Sequence, residues 1–206
     1  MDAADAQLAK DPVLARLIAE QGGPLPPGPD SRGRPADVYG ALLRAITGQQ
    51  LSVKAAEAIH GRLLARFGGR APTPAELLAD DPDELRTAAG LSHAKVAALR
   101  SLAEHVIEGE LELDRLTQLD DAEVVRELVA VKGIGEWTAD MFLMFTLHRP
   151  DVLATGDLGI RNAVMRAYGL AAPPGPAALT ELAEAWRPYR TRACLYLWRS
   201  LRNEPV

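Results

Sequence analysis

Residues 128–139 read Leu128-Val-Ala-Val-Lys132-Gly133-Ile134-Gly135-Glu-Trp137-Thr-Ala139. An apolar helical run stops, a Gly-Ile-Gly turn follows, and a second helical run starts at once. Two glycines around one apolar residue permit positive φ and bring bare backbone to the surface, while Ile134 anchors the turn in the core. The amides around the turn and at the start of the second helix then point outward, where the helix dipole favours a phosphate. A bare Gly-x-Gly is more often a plain interhelical turn. The surrounding Lys132-Gly-Ile-Gly-Glu-Trp-Thr-Ala139 is what makes this one specific.

Helical signals continue on both sides. Val13, Leu14, Leu17 and Ile18 form an apolar stripe, and the Gly/Pro-rich stretch 22–35 reads as a long surface loop. The pattern predicts a helix over 37–50, then one over 53–67 capped by Ser52, with Ala55, Ala56, Ile59 and Leu63 inward. Thr73 and Glu76 form a capping box, Asp81 starts a short helix ending at Gly90, and Ser92 caps a long helix to about Glu108. Asp120 or Asp121 starts another that runs to Val131. Further helices fit 136–148, 158–168, 176–186 and 188–203. No run alternates with period two for long enough to be a strand. The fold class is all-α, about ten short helices packed as a globule.

Composition narrows the function. The 206 residues carry 23 Lys plus Arg against 28 Asp plus Glu, a net charge of −5, which excludes a generally basic nucleic-acid coat. Residues 1–130 hold 14 basic and 21 acidic side chains (−7), and residues 131–206 hold 9 and 7 (+2). Any anionic partner is therefore expected at the C-terminal third. One cysteine, Cys194, excludes an intrachain disulfide and a cysteine-ligated iron–sulfur cluster. His60, His93, His105 and His148 lack metal-ligand spacing, so no metal is expected on side chains. The N-terminus has no apolar core and no run approaches a membrane span. This predicts a cytoplasmic protein, nucleoid-associated in a bacterium.

The hairpin with three further blocks resembles the helix-hairpin-helix/Gly-Pro-Asp DNA glycosylase superfamily, in its DNA-3-methyladenine glycosylase II branch. Ile46-Thr-Gly-Gln-Gln50-Leu51-Ser-Val-Lys-Ala-Ala56 is similar to the segment bearing the DNA wedge. Val152-Leu-Ala-Thr-Gly-Asp157-Leu158-Gly-Ile-Arg161 is similar to the loop with the catalytic Asp, and Ala185-Trp-Arg-Pro-Tyr-Arg190 with Leu195-Tyr-Leu-Trp198 to the C-terminal signature. The resemblance spans roughly residues 40–200. It implies a two-lobed fold: a single catalytic unit, 1–206, with lobe A at 1–35 plus 155–206 and lobe B at 36–154, including the hairpin 131–135. Because helical signals begin almost at residue 1, the N-terminal β domain of some relatives is not expected.

It also implies site residues. Locally, Asp157 reads as the N-cap of a helix. Asp151, in Arg149-Pro150-Asp151, is the rival that matches Pro-Asp literally and is expected at the exposed loop entrance. Alignment through Asp-Leu-Gly-Ile-Arg selects Asp157 as the catalytic carboxylate. Trp137 and Trp198 become walls of a base pocket, joined by Met141 and Leu158 where relatives can carry aromatics. That implies a roomier pocket. An indole over a cationic alkylated base gives an attraction of about 0.5–2 kcal/mol. By residue type alone, large aromatics more often fill cores. Lys132, Gly133, Ile134 and Gly135 form the DNA-binding hairpin, and either Gln50 or Leu51 is the wedge. Trp137 stands where bifunctional relatives have a lysine, so no lyase activity is expected.

The implied activity is excision of alkylated bases from duplex DNA by base flipping and hydrolysis, leaving an abasic site, by a monomer. No cofactor is implied beyond a structural monovalent or Mg²⁺ ion on hairpin carbonyls. Two other readings compete. One is a non-catalytic hairpin module that recognises DNA structure, which needs neither an acid nor a pocket. The other is a glycosylase for oxidised or mismatched bases.

Overall fold

Side-chain oxygens set most helix starts in the computed structural model, which describes residues 2–21 and 37–201. Asp2, Asp11, Asp37, Ser52, Thr73, Asp81, Ser92, Asp120 and Asp157 each accept a backbone N–H from the first turn they precede. The helices that follow are α1 (Ala3–Leu8), α2 (Pro12–Glu20), α3 (Val38–Gly48), α4 (Val53–Arg66), α5 (Pro74–Ala79) and α6 (Pro82–Ala89). Then come α7 (His93–Ile107), α8 (Asp121–Ala130), α9 (Glu136–Phe145), α10 (Leu158–Tyr168), α11 (Pro176–Ala183) and α12 (Arg190–Ser200). Single 3₁₀ turns lie at Leu113–Arg115 and Glu184–Trp186. No strand occurs among the described residues, so the all-α expectation holds.

The chain divides into two compact units, Met1–Asp30 with Leu143–Val206, and Ser31–Phe142. One crossing falls inside α9, between Phe142 and Leu143, rather than after Ala154. In the first unit α12 packs on α2 and α10. Leu14, Ile160, Val164, Trp186, Cys194 and Leu197 form its core. Buried polar groups pin its N-terminal helices: Tyr196 Oη donates to Asp5 Oδ1 at 2.8 Å, and Tyr168 Oη and Trp186 Nε1 both donate to Asp11 Oδ2.

In the second unit α7 is the central helix, packing on α3, α5 and α6, with α4 against α3 and α6. Leu42, Ile46, Leu63, Leu99, Leu102 and Leu128 are fully buried there.

Several expectations need correction. Helix α1 is extra; it is short, and Asp5 and Leu8 are its two buried residues, too few for a periodic signal. In α4, Ala55, Ala56 and Ile59 are half-buried, whereas His60 and Leu63 are buried. Helix α9 ends three residues early, with His148 at φ 55° and Arg149 N donating back to Leu143 O. The last helix starts at Arg190, two residues later than expected, because Tyr189 before it lies outside helical geometry at φ −123° and ψ 34°. The loop predicted at 22–35 lies outside the described residues.

Candidate active site

In the second unit α8 ends at Ala130 and α9 begins at Glu136, so the hairpin occupies 131–135 as predicted. Gly133 has φ +84°, and a Cβ there would stand 2.7 Å from Ala98 Cβ. Glycine is thus required twice, by the left-handed backbone and by the close approach of α7. Ile134 is buried, while Lys132, Gly133 and Gly135 are exposed. Two turn amides face inward: Lys132 N donates to Ser101 Oγ at 3.2 Å and Ile134 N to Val131 O at 3.1 Å. An anion would therefore meet the turn's glycine amides and the first turn of α9, where amides lack intrahelical acceptors.

The turn at Gln49–Leu51 belongs to the same unit. Gln49 Nε2 donates to Gly133 O at 2.9 Å and to Thr138 Oγ1 at 3.1 Å. Gln50 is exposed with φ +58°, a conformation costly for a residue with a side chain, and Leu51 is 39% exposed. One face of α7 supports both turns: Lys95 Nζ donates to Thr47 O at 2.8 Å, Ala98 seats Gly133, and Ser101 holds Lys132 N. Sequence reading missed Gln49 as a link, since its partner lies 84 residues away.

Along α9, Trp137 is 44% exposed and Met141 is half-buried one turn later. Asp140, about one turn after Trp137, is half-buried. Burial, with Glu136 one turn earlier, pushes its carboxyl up to about 7. Behind the Gln49 turn, His60 is buried beside Thr47 Oγ1 at 3.4 Å, and burial plus Arg44 lower it to about 4. It is a neutral core histidine.

In the first unit Asp157 caps α10. Its Oδ1 accepts from Ile160 N at 2.7 Å and from Trp198 Nε1 at 2.9 Å. The N-cap expected from the sequence is thus present, and the same oxygen also accepts from a tryptophan 41 residues later. Gly159 makes the pair possible: a Cβ there would lie 3.0 Å from Asp157 Oδ1 and 3.3 Å from the Trp198 indole. The ring of Phe145 stands 6.0 Å from that of Trp198, a neighbour with no sequence signal beyond its residue type. Leu158 is 61% exposed.

Asp151 is not the exposed residue expected. Its side chain is 21% exposed and ion-paired at 2.6 Å to Arg187 Nη1 and 2.8 Å to Arg190 Nε. Both oxygens are engaged, which fixes the loop and leaves Asp151 unsuited to activating water. Trp186 is fully buried and packs in the core of the first unit. Among the described residues no three His, Cys, Asp or Glu side chains converge as a metal site. No helix among them is long and apolar enough to cross a membrane.

Known proteins match this arrangement. The DNA-3-methyladenine glycosylase 1 of Schizosaccharomyces pombe is 37% identical over 164 residues, covering 79% of this chain and 72% of that protein. The structure of the Schizosaccharomyces pombe 3-methyladenine DNA glycosylase in complex with abasic DNA superposes with a TM-score of 0.85 at 33% identity, covering 98% of this chain and 97% of that one. A DNA-3-methyladenine glycosidase structure from Bacillus halodurans gives 0.82 at 36% identity, with 98% and 91% covered. The profile of HhH-GPD superfamily base excision DNA repair proteins matches residues 43–188. With its hairpin, its Asp157-capped helix and this match along most of its length, the chain belongs to the HhH-GPD superfamily.

Proposed function

We propose that this protein is a monofunctional DNA glycosylase that removes alkylated bases of the 3-methyladenine type from duplex DNA and leaves an abasic site. The observation that carries the reading is the Asp157 carboxylate, held through Oδ1 by Ile160 N and Trp198 Nε1 while the rival Asp151 is engaged by two arginines.

The chemistry needs one fixed carboxylate. As the C1′–N bond breaks, its electron pair goes to the base nitrogen and neutralises a cationic alkylpurine, while positive charge builds on the sugar. Asp157 stabilises that charge, and takes a proton from the water whose oxygen bonds to C1′. The half-exposed Trp137 indole offers a face to the cationic base, which selects charge rather than a hydrogen-bond pattern. With tryptophan rather than lysine at this position, no amine there forms a Schiff base. Gln50 or Leu51 fills the gap left by the extruded base. Met141 and Leu158 stand at positions where relatives can carry aromatics, which is the basis for a broader range of excised lesions. The protein is read as a cytoplasmic monomer.

An ion on the hairpin carbonyls would meet a turn already engaged, since Gly133 O accepts from Gln49 and Val131 O from Ile134 N.

The test is release of methylated bases from dimethyl sulfate-treated duplex DNA by the wild type and Asp157→Asn. Release by the wild type, with loss of release but retained binding in the variant, supports the enzyme. Binding without release by either protein supports the DNA-structure module instead. A borohydride-trapped adduct on damaged DNA would contradict the monofunctional assignment.

A further inference from the structure

Gln49 ends α3, and both hydrogens of its side-chain amide are engaged within the hairpin region, on Gly133 O and Thr138 Oγ1. Because a carbonyl oxygen only accepts, the contact with Gly133 also fixes which way the amide points. The next residue, Gln50, is held in the left-handed region and exposed, and Leu51 follows it. A side-chain-bearing residue in that region relaxes unless its surroundings over-determine it. Here they do. Lys95 fastens the end of α3 through Thr47 O, three residues before the strained turn, and Gln49 fastens the residue immediately before it.

The same helix face that carries Lys95 carries Ala98 and Ser101, which seat Gly133 and hold Lys132 N. The hairpin thus has supports on α7 that do not involve Gln49. The turn at Gln50–Leu51 has Gln49 as its direct side-chain link to the hairpin. Two functions are separable by one residue: gripping the backbone belongs to the hairpin, and the register between that grip and the exposed turn belongs to Gln49.

We propose that Gln49 is a positioning residue that transmits the hairpin's hold on the DNA backbone to the Gln50–Leu51 turn, so that phosphate binding and base displacement occur at a fixed register. The proposal rests on the reading of that turn as the wedge. Displacing a base means unstacking a step against resistance, which a turn free to slide along the groove cannot do. A tether to the element that holds the backbone supplies the reaction point.

The test uses the full chain with Gln49→Leu, which removes both donors at nearly the same length, and Thr138→Val, which removes one acceptor. Three readouts are needed: affinity for an undamaged duplex, the fluorescence rise of 2-aminopurine opposite a tetrahydrofuran abasic site, and kcat and KM for base release from methylated DNA. For two lost hydrogen bonds the expected fall in kcat is about ten- to a hundredfold, with loss of the fluorescence rise and little change in undamaged-duplex affinity. Thr138→Val should show a smaller loss, and the double variant should be no worse than Gln49→Leu alone. If Gln49→Leu fails to fold, Thr138→Val decides the matter by the same readouts.

Retention of the fluorescence rise and of kcat overturns the proposal. So does a parallel loss of undamaged-duplex affinity, which would make Gln49 merely part of the hairpin's framework. Gln50→Ala and Leu51→Ala separate the two layers. If either abolishes the rise while Gln49→Leu keeps it, only the Gln49 proposal falls. If neither affects the rise, the wedge reading itself falls and takes the proposal with it.

Discussion

Trp198→Phe tests whether the carboxylate's orientation, rather than the mere presence of an aromatic wall, drives the reaction. The substitution keeps an aromatic ring near Phe145 but removes the N–H that donates to Asp157 Oδ1 at 2.9 Å. The other donor to that oxygen, Ile160 N at 2.7 Å, remains, so the cap of α10 persists and the fold should melt close to wild type. A hydrogen bond to a charged acceptor contributes about 1.5–3 kcal/mol, and the lower end applies to a part-buried pair. If that contribution is realised in the transition state, base release should slow by roughly ten- to thirtyfold. Single-turnover release of 7-methylguanine from dimethyl sulfate-treated DNA measures it, and release of a neutral base such as hypoxanthine gives the comparison. An orientation role slows both bases in the same ratio. A loss confined to the cationic base would show that Trp198 acts through its π face, and a variant within about twofold of wild type on both would refute the orientation argument.

Other outcomes follow from the same geometry. Gly133→Ala meets Ala98 Cβ at 2.7 Å and a φ of +84°, and should cost about 1–3 kcal/mol of stability together with DNA affinity; a denaturant titration and a duplex-binding isotherm check both. Adding Ala98→Gly should recover only the steric share of the loss. Asp140 is raised to about 7 in the fold, so the folded state holds its proton more tightly than the unfolded chain. Stability is therefore lost as pH rises from about 4 to about 7, and Asp140→Asn should flatten that slope and gain ~1–2 kcal/mol at pH 8 in urea melts, a figure reduced for Asp140's partial exposure. Met141→Tyr with Leu158→Tyr should narrow the range of excised lesions toward 3-methyladenine, read on a panel of alkylated, oxidised and deaminated duplexes.

Much of the architecture was legible because local chemistry sets it. Caps at Ser52, Thr73, Asp81 and Ser92 are read directly from residue type and spacing, and the structure uses each of them; of the alternatives Asp120 and Asp121, it uses Asp120. The hairpin was legible for the same reason: a short glycine-bracketed turn has few ways to fold. In the candidate site, residue type alone marks Asp157 as an N-cap, which the structure shows; its proposed catalytic role and the proposed pocket role of Trp137 and Trp198 come from the resemblance. Gln49, Gly159 and Phe145 matter through partners distant in the chain. A glutamine at a helix end, a glycine inside a helix and an apolar aromatic carry no local mark of those partners. Asp151 shows the converse error, since a loop carboxylate looks exposed until the arginines 36 and 39 residues later close on it.

Those arginines also change how the charge must be understood. The C-terminal third has the basic excess, but Arg187 and Arg190 pair with Asp151, Arg192 with Asp2 and Asp5, and Arg161 donates to Pro174 O. Four of its nine basic side chains thus hold the fold together, and the +2 excess overstates the charge offered to a phosphate backbone. The hairpin offers another means. Backbone amides at the first turn of α9, with Lys132 exposed beside them, can hold a phosphate without a basic surface, and partial charges on amides release fewer counterions than lysines or arginines do. DNA binding by this chain should therefore weaken only shallowly with salt. A slope of about −0.9 per neutralised phosphate corresponds to a few contacts here rather than the ten or so of a basic repressor. A slope as steep as the repressor's would place DNA on the arginines that the fold already engages, and would require those ion pairs to open on binding.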